Sequence, residues 1–122
     1  MAAKPRLDDD RIGEFRQLLG EARGRLLRTV AVTDEELGGL STPEPGELAE
    51  ESARRAVAEL LGRLEGRERH ELDEIQSATA RLEAGSFGVC EACGAAIALL
   101  RLRAMPWARH CLGCQAYEER RP

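Results

Sequence analysis

The placement of cysteine constrains this chain more than any other feature. All four cysteines fall in two Cys-x-x-Cys pairs, CEAC at 90–93 and CLGC at 111–114, with seventeen residues between Cys93 and Cys111. Cysteines this close in sequence restrict the chain little if each pair closes a local disulfide, and the opening MAAKPRLDDD holds no apolar run of the kind that leads a chain out of the cell. Metal binding is the better reading. Two such pairs offer four thiolates to one ion at about 2.3 Å each, the tetrahedral set that Zn²⁺ accepts. We therefore expect one structural zinc held by Cys90, Cys93, Cys111 and Cys114. A centre closed by four thiolates leaves no open position for a catalytic water, so it stabilises a module and does not make an enzyme. His110 abuts the second pair, but it would be a fifth donor and is expected to stand aside. A thioredoxin-like redox pair and a disulfide framework are the alternatives.

The remainder of the chain reads as helix. Its 122 residues include only four aromatics, Phe15, Phe87, Trp107 and Tyr117, so a large globular core is not expected, while 33% charged residues suit long exposed helices. Apolar or small residues recur at Ile12, Phe15, Leu19, Ala22, Leu26 and Thr29 in steps of three and four, the mark of a coiled-coil seam. A second stripe carries Val57, Leu61, Leu64, Leu72, Ile75, Thr79 and Leu82, crossing the polar segment RERHE. Asp8, Asp9 and Asp10 favour the start of the first helix, and Gly85 can end the second. Gly38 and Gly39 are expected to break or fray the first helix, and STPEPGE to form the turn between the two. A second helix running from Glu47 to Ala84 would be roughly 57 Å long. The expected fold is mainly α: an antiparallel coiled-coil hairpin over residues 1–84 with its tip near 33–52, then a small four-cysteine zinc finger with a short C-terminal helix over 85–122. No run approaches the roughly 20 apolar residues of a membrane span, so we expect a soluble cytoplasmic protein without a membrane partner.

Charge divides along the same line. Residues 1–84 hold 19 acidic against 13 basic side chains, and residues 85–122 hold 3 against 5, so the hairpin is acidic and the finger mildly basic. Ala31 to Ala53 contains Asp34, Glu35, Glu36, Glu44, Glu47, Glu50 and Glu51 with no Lys or Arg. Such an anionic tip would be repelled by a phosphate backbone, which proteins bind chiefly through Lys and Arg. Charge runs are usually solvated faces, and these carboxylates also suit the start of a helix.

The segment FGVCEACG, followed by Ile97, Arg101, Leu102, Ala104, Pro106, Ala108 and CLGC, resembles the zinc-finger signature of the DksA/TraR family of bacterial transcription regulators, spacer length included. RER at 67–69 extends the resemblance into the preceding helix. It implies that the protein binds RNA polymerase and not DNA, passing a coiled-coil hairpin through the secondary channel so that tip acids approach the catalytic centre. Members carry Asp-x-x-Asp-x-Ala at the tip, and a gapless count back from the finger places Glu47, Glu50 and Ser52 there. Both acids are the longer Glu, and Ser stands for Ala. The first helix is expected to begin within about ten residues of Met1, without the amino-terminal segment of longer members, so a ppGpp site that depends on that segment is not carried over.

Two other function classes stay open on the residues alone. A DNA-binding or interaction module would need Arg101, Arg103, Arg109, Arg120 and Arg121 to form a basic face, against which stand Glu91, Glu118 and Glu119. A redox or zinc-responsive switch would act through the Cys-x-x-Cys pairs. An enzyme finds no support, because the serines and His70 and His110 form no nucleophile–base spacing.

Overall fold

The computed structural model describes residues 7–39 and 47–120. Among the described residues six helices follow in order: α1 (Asp9–Val30), α2 (Asp34–Gly39), α3 (Glu47–Gly62), α4 (Gly66–Ala84), α5 (Leu99–Ala104) and α6 (Leu112–Arg120). The fold is mainly α, and among the described residues the only β pairing is an isolated antiparallel bridge between Val89 and Ala96. No helix of the described residues is long and apolar enough to cross a membrane. The chain falls into two compact units, one holding the described residues up to Gly20 together with those from Glu74 onward, the other Glu21–Asp73.

In the first unit, α1 starts where the aspartates require it. The Asp8 carboxylate accepts the Arg11 amide at 2.8 Å and satisfies one of the donors that a helix start leaves unpaired. Phe15 and Leu19 of α1 are buried, as are Ile75, Ala78 and Leu82 of α4. The Phe15 and Phe87 rings stand 5.0 Å apart, tilted by 42°. The far end of α4 closes in a Schellman motif: the Ser86 amide donates to Arg81 O at 2.9 Å and the Gly85 amide to Leu82 O at 3.3 Å. Gly85 sits at φ +81°, a conformation that a Cβ would strain. The chain therefore leaves the helix at a set angle.

The second unit departs from the expected single long helix. α3 stops at Gly62 and α4 starts at Gly66, which lies at φ +58°. The last turn of α3 tightens, with the Arg63 and Leu64 amides donating to Leu60 O and Leu61 O. The guanidinium of Arg69 then covers the Leu61 carbonyl at 3.4 Å. Glycine at both edges of the interruption lowers the cost of ending a helix there. The first helix is also shorter than expected: α1 ends at Val30, well before Gly38, and those glycines belong to α2. Thr33 caps α2, its hydroxyl accepting the Glu36 amide at 3.1 Å.

The seams are nearly those drawn from the pattern. Ala22, Leu26 and Leu27 are buried from α1, and Leu60, Leu64 and Leu72 from the later helices. Leu60 replaces the expected Leu61 and Val57 as the buried residue of α3, and Ala78 replaces Thr79, whose hydroxyl turns back to the Ile75 carbonyl at 2.9 Å. Thr29 is exposed and bonds to Leu26 O in the same way. The expected turn at 41–46 lies outside the described residues.

Candidate metal centre

The first cysteine pair sits on a tight backbone turn. The Cys90 amide donates to Ala95 O at 2.8 Å and the Gly94 amide to Cys90 O at 2.9 Å, while Ile97 donates to Gly88 O just outside the Val89–Ala96 bridge. The second pair is built on a helix start. The Cys111 carbonyl accepts the Gln115 amide at 2.9 Å, the first bond of α6, and Cys114 lies in the first turn. A helix start thus presents both residues of that pair, Cys111 just before α6 and Cys114 within it.

These elements bring all four sulfurs within 4.8 Å of one another. Cys93 Sγ and Cys111 Sγ are 3.9 Å apart, against about 3.8 Å for an edge of a tetrahedron with 2.3 Å metal–sulfur bonds. Cys90 is buried, Cys111 and Cys114 are half-buried, and Cys93 is exposed. The set suits a four-coordinate soft cation and leaves no role for His110, whose described contribution is a carbonyl that accepts the Arg101 Nε at 3.0 Å.

The electrostatics of the bare thiols point the same way. Burial works to raise the Cys90 thiol, but the amides of Cys111, Cys93 and Ala92 outweigh it and bring it down to about 6. The Cys114 thiol is pushed up to about 12 because its hydrogen is held by Cys111, Cys90 and Cys93, with burial and the Cys111 charge adding to the effect. Four sulfurs packed together cannot all carry charge at neutral pH unless a cation joins them, and its binding expels the remaining protons.

A network of charged side chains fastens this centre to α4. Arg109 donates through Nε and Nη2 to the Glu74 carboxylate at 2.7 and 3.1 Å, through Nη2 to Ser77 at 2.9 Å, and through Nη1 to Glu91 at 3.0 Å. The Arg109 carbonyl accepts the amide of Glu91, the residue after the first cysteine. Arg81 reaches Ser77 at 2.9 Å and lies 3.9 Å from Glu91, with its Nη2 buried and unpaired. Sequence spacing alone did not reveal this network, although Glu91 and Arg109 both lie inside the finger signature.

The expected tip residues stand apart from the metal centre in the chain and form no described cluster with it. Glu50 and Ser52 are exposed on α3, and Glu50 lies 3.7 Å from Arg54. The side chain of Glu47, like residues 40–46 of the tip, lies outside what is described. Arg54 and Arg55, just beyond the run without basic residues, pair with Glu50 and Glu51 and partly offset its charge.

Residues 85–120 match the prokaryotic dksA/traR C4-type zinc finger. The likeness extends far beyond it: the RNA polymerase-binding transcription factor DksA of Caulobacter vibrioides (strain NA1000 / CB15N) is 31% identical over 118 residues, 97% of this chain and 82% of that protein. This chain belongs to the DksA/TraR family. An uncharacterized protein of Aquifex aeolicus (strain VF5) is 30% identical over 116 residues, 93% of this chain and 80% of its own. Among solved structures, the DksA/TraR fold is shared with transcription factor DksA2 from Pseudomonas aeruginosa, at a TM-score of 0.59 and 28% identity over 92% of this chain and 85% of that one. The cofactor of the C4-type finger is a structural Zn²⁺.

Proposed function

We propose that this protein is a cytoplasmic, non-enzymatic transcription regulator that acts by binding RNA polymerase. The observation that carries the reading is the reach of the similarity, which runs over 97% of the chain, helices as well as finger, in a relative named for binding RNA polymerase. In this reading residues 1–84 are the hairpin, with its tip near 33–52, and residues 85–122 are the finger, whose Cys90, Cys93, Cys111 and Cys114 are the zinc ligands. The hairpin enters the secondary channel, and Glu47 and Glu50, flanked by Ser52, meet the active centre and modulate initiation. Residues three apart on a helix face the same side, so the two carboxylates address one target. Negative charge brought near a metal-containing, basic centre changes its electrostatics without becoming a ligand.

A DNA-binding finger is the weaker reading because its described arginines already have acceptors within the chain. Arg101 donates to His110 O, Arg103 to Glu14 at 2.7 Å, Arg109 to Glu74 and Glu91, and Arg120 to Ala116 O. Phosphate contacts would have to displace these bonds.

The test uses purified core RNA polymerase and the zinc-loaded protein. The parent should bind core enzyme and alter initiation in a purified transcription assay, and the double change Glu47→Ala with Glu50→Ala should keep binding while losing the effect. Absence of binding by the parent would refute the reading, and a fully active double variant would remove the tip from it.

A further inference from the structure

α2 is held in place by something other than a core. It has six residues, two of them glycine, and its one large apolar side chain, Leu37, is 40% exposed. No described residue of α2 is buried, and a helix this short has little stability of its own. Yet it packs on α3, and the polar contacts explain why. Arg63, the first residue past α3, directs Nη1 to Val30 O at 3.0 Å and to Glu36 Oε2 at 3.0 Å, and Nη2 to Glu36 Oε1 at 3.0 Å. Glu36 Oε2 in turn accepts the Val32 amide at 2.9 Å. One guanidinium thereby caps the last carbonyl of α1, forks onto the side chain of α2 and anchors both at the end of α3. Glu59 adds a fourth, longer contact at 3.8 Å. The break between α3 and α4 is where Arg63 departs, so the interruption of the helix and the lock on α2 meet at one residue.

We propose that Arg63 is a positioning residue for the acidic tip: through its fork onto Glu36 it fixes α2, which packs on α3, the helix that carries Glu50. The proposal rests on the polymerase reading above. It requires the planar fork and not merely a positive charge, since a lysine ammonium cannot bridge two carboxylate oxygens and a carbonyl with the same geometry.

The full-length, zinc-loaded protein and its Arg63→Ala, Arg63→Lys and Glu36→Gln variants are compared by amide hydrogen exchange, core polymerase binding and the purified initiation assay. The amides of Val32, Glu36 and Leu37 should exchange about tenfold faster in all three variants, while those of Ile75 and Leu82 keep their parental rates. Core polymerase binding should be unchanged, and the effect on initiation should fall by about tenfold in Arg63→Lys as well as in Arg63→Ala, a loss that charge alone would not produce. Combining Arg63→Ala with Glu36→Ala should do less harm than the sum of the two single changes, because the fork is shared while Arg63 keeps Val30 and Glu36 keeps Val32 as separate partners. Parental exchange at 32–37 in Arg63→Ala would overturn the lock. Faster exchange with a full effect on initiation would overturn the positioning role. If the parent does not bind core polymerase, the polymerase reading and the positioning role fall together, and the exchange data still decide the lock.

Discussion

Arg109 and Glu74 lie 35 positions apart in the chain, yet the Arg109 Nε stands 2.7 Å from a Glu74 carboxylate oxygen, in a pair that also engages Ser77 and Glu91. This contact ties the segment leading into the second cysteine pair to α4, so the finger is held by its metal and also by a charged network.

Arg109→Ala should lower stability by about 1–2 kcal/mol, less than a fully buried charged bond because the Arg109 side chain remains 32% exposed. Thermal unfolding of the zinc-loaded variant measures this. A melting temperature equal to that of the parent would mean that the network contributes nothing beyond what solvent already offers those groups.

Removing one sulfur should cost the metal. Cys111→Ser leaves three thiolates and deprives α6 of a ligand at its start, so zinc should be lost on dialysis and the amides of Cys90, Gly94 and Ile97 should lose their protection. Helicity over α1 and α4 should persist. Metal analysis with hydrogen exchange reads both halves, and full zinc retention would remove Cys111 from the ligand set.

Phe15 is wholly buried and stacks obliquely on Phe87. Phe15→Ala should therefore destabilise the protein by about 3–5 kcal/mol, as large-to-small core changes do. Denaturant unfolding gives the number, and a loss below about 1 kcal/mol would show that the site collapses around the smaller side chain.

Glu36 should make stability depend on pH in the acid range. The fork from Arg63, with the Val32 amide, lowers its carboxyl from 4.5 to about 2. A group depressed in the folded state contributes its stability above the unfolded value and loses it as pH falls through the folded one. The contribution should thus be complete above pH 4.5 and disappear as pH approaches 2. In a titration followed by the Val32 amide resonance, the parent should show a transition toward the lower end of that window, and Glu36→Gln should show none from this group.

Much of this arrangement was legible in the residues. The two cysteine pairs announced the metal centre, the run Asp8, Asp9 and Asp10 marked the start of α1, Gly85 marked the end of α4, and Phe15, Leu19, Ala22 and Leu26 fell on the buried face as their spacing implied. The break after Gly62 was less legible because apolar spacing continues across it, and Leu64 is buried even though it sits in the interruption. Glycine weakens a helix without saying whether the helix bends or stops, and the contacts that accompany the stop, Arg63 to the Val30 carbonyl of α1 and Arg69 back to the Leu61 carbonyl of α3, are tertiary or cross the break. The choice of Leu60 over Leu61 and of Ala78 over Thr79 was hidden for another reason: adjacent positions differ by about 100° around a helix, so a small shift in its rotation exchanges them. Pairings such as Arg109 with Glu74 depend on the tertiary fold, and no local pattern records them.

The interruption between Gly62 and Gly66 has a consequence for how such chains can change length. A residue inserted within α3 or α4 would turn every later side chain by about 100° and carry the apolar stripe away from its partner. Residues added between the two glycines impose no such rotation within a helix, because one helix has ended at Gly62 and the next starts at Gly66, though Leu64 must stay buried and Arg69 must still reach Leu61. This short segment is therefore a place where insertions and deletions can accumulate without scrambling the register within either helix, provided that Arg63 keeps its reach to Val30 and Glu36.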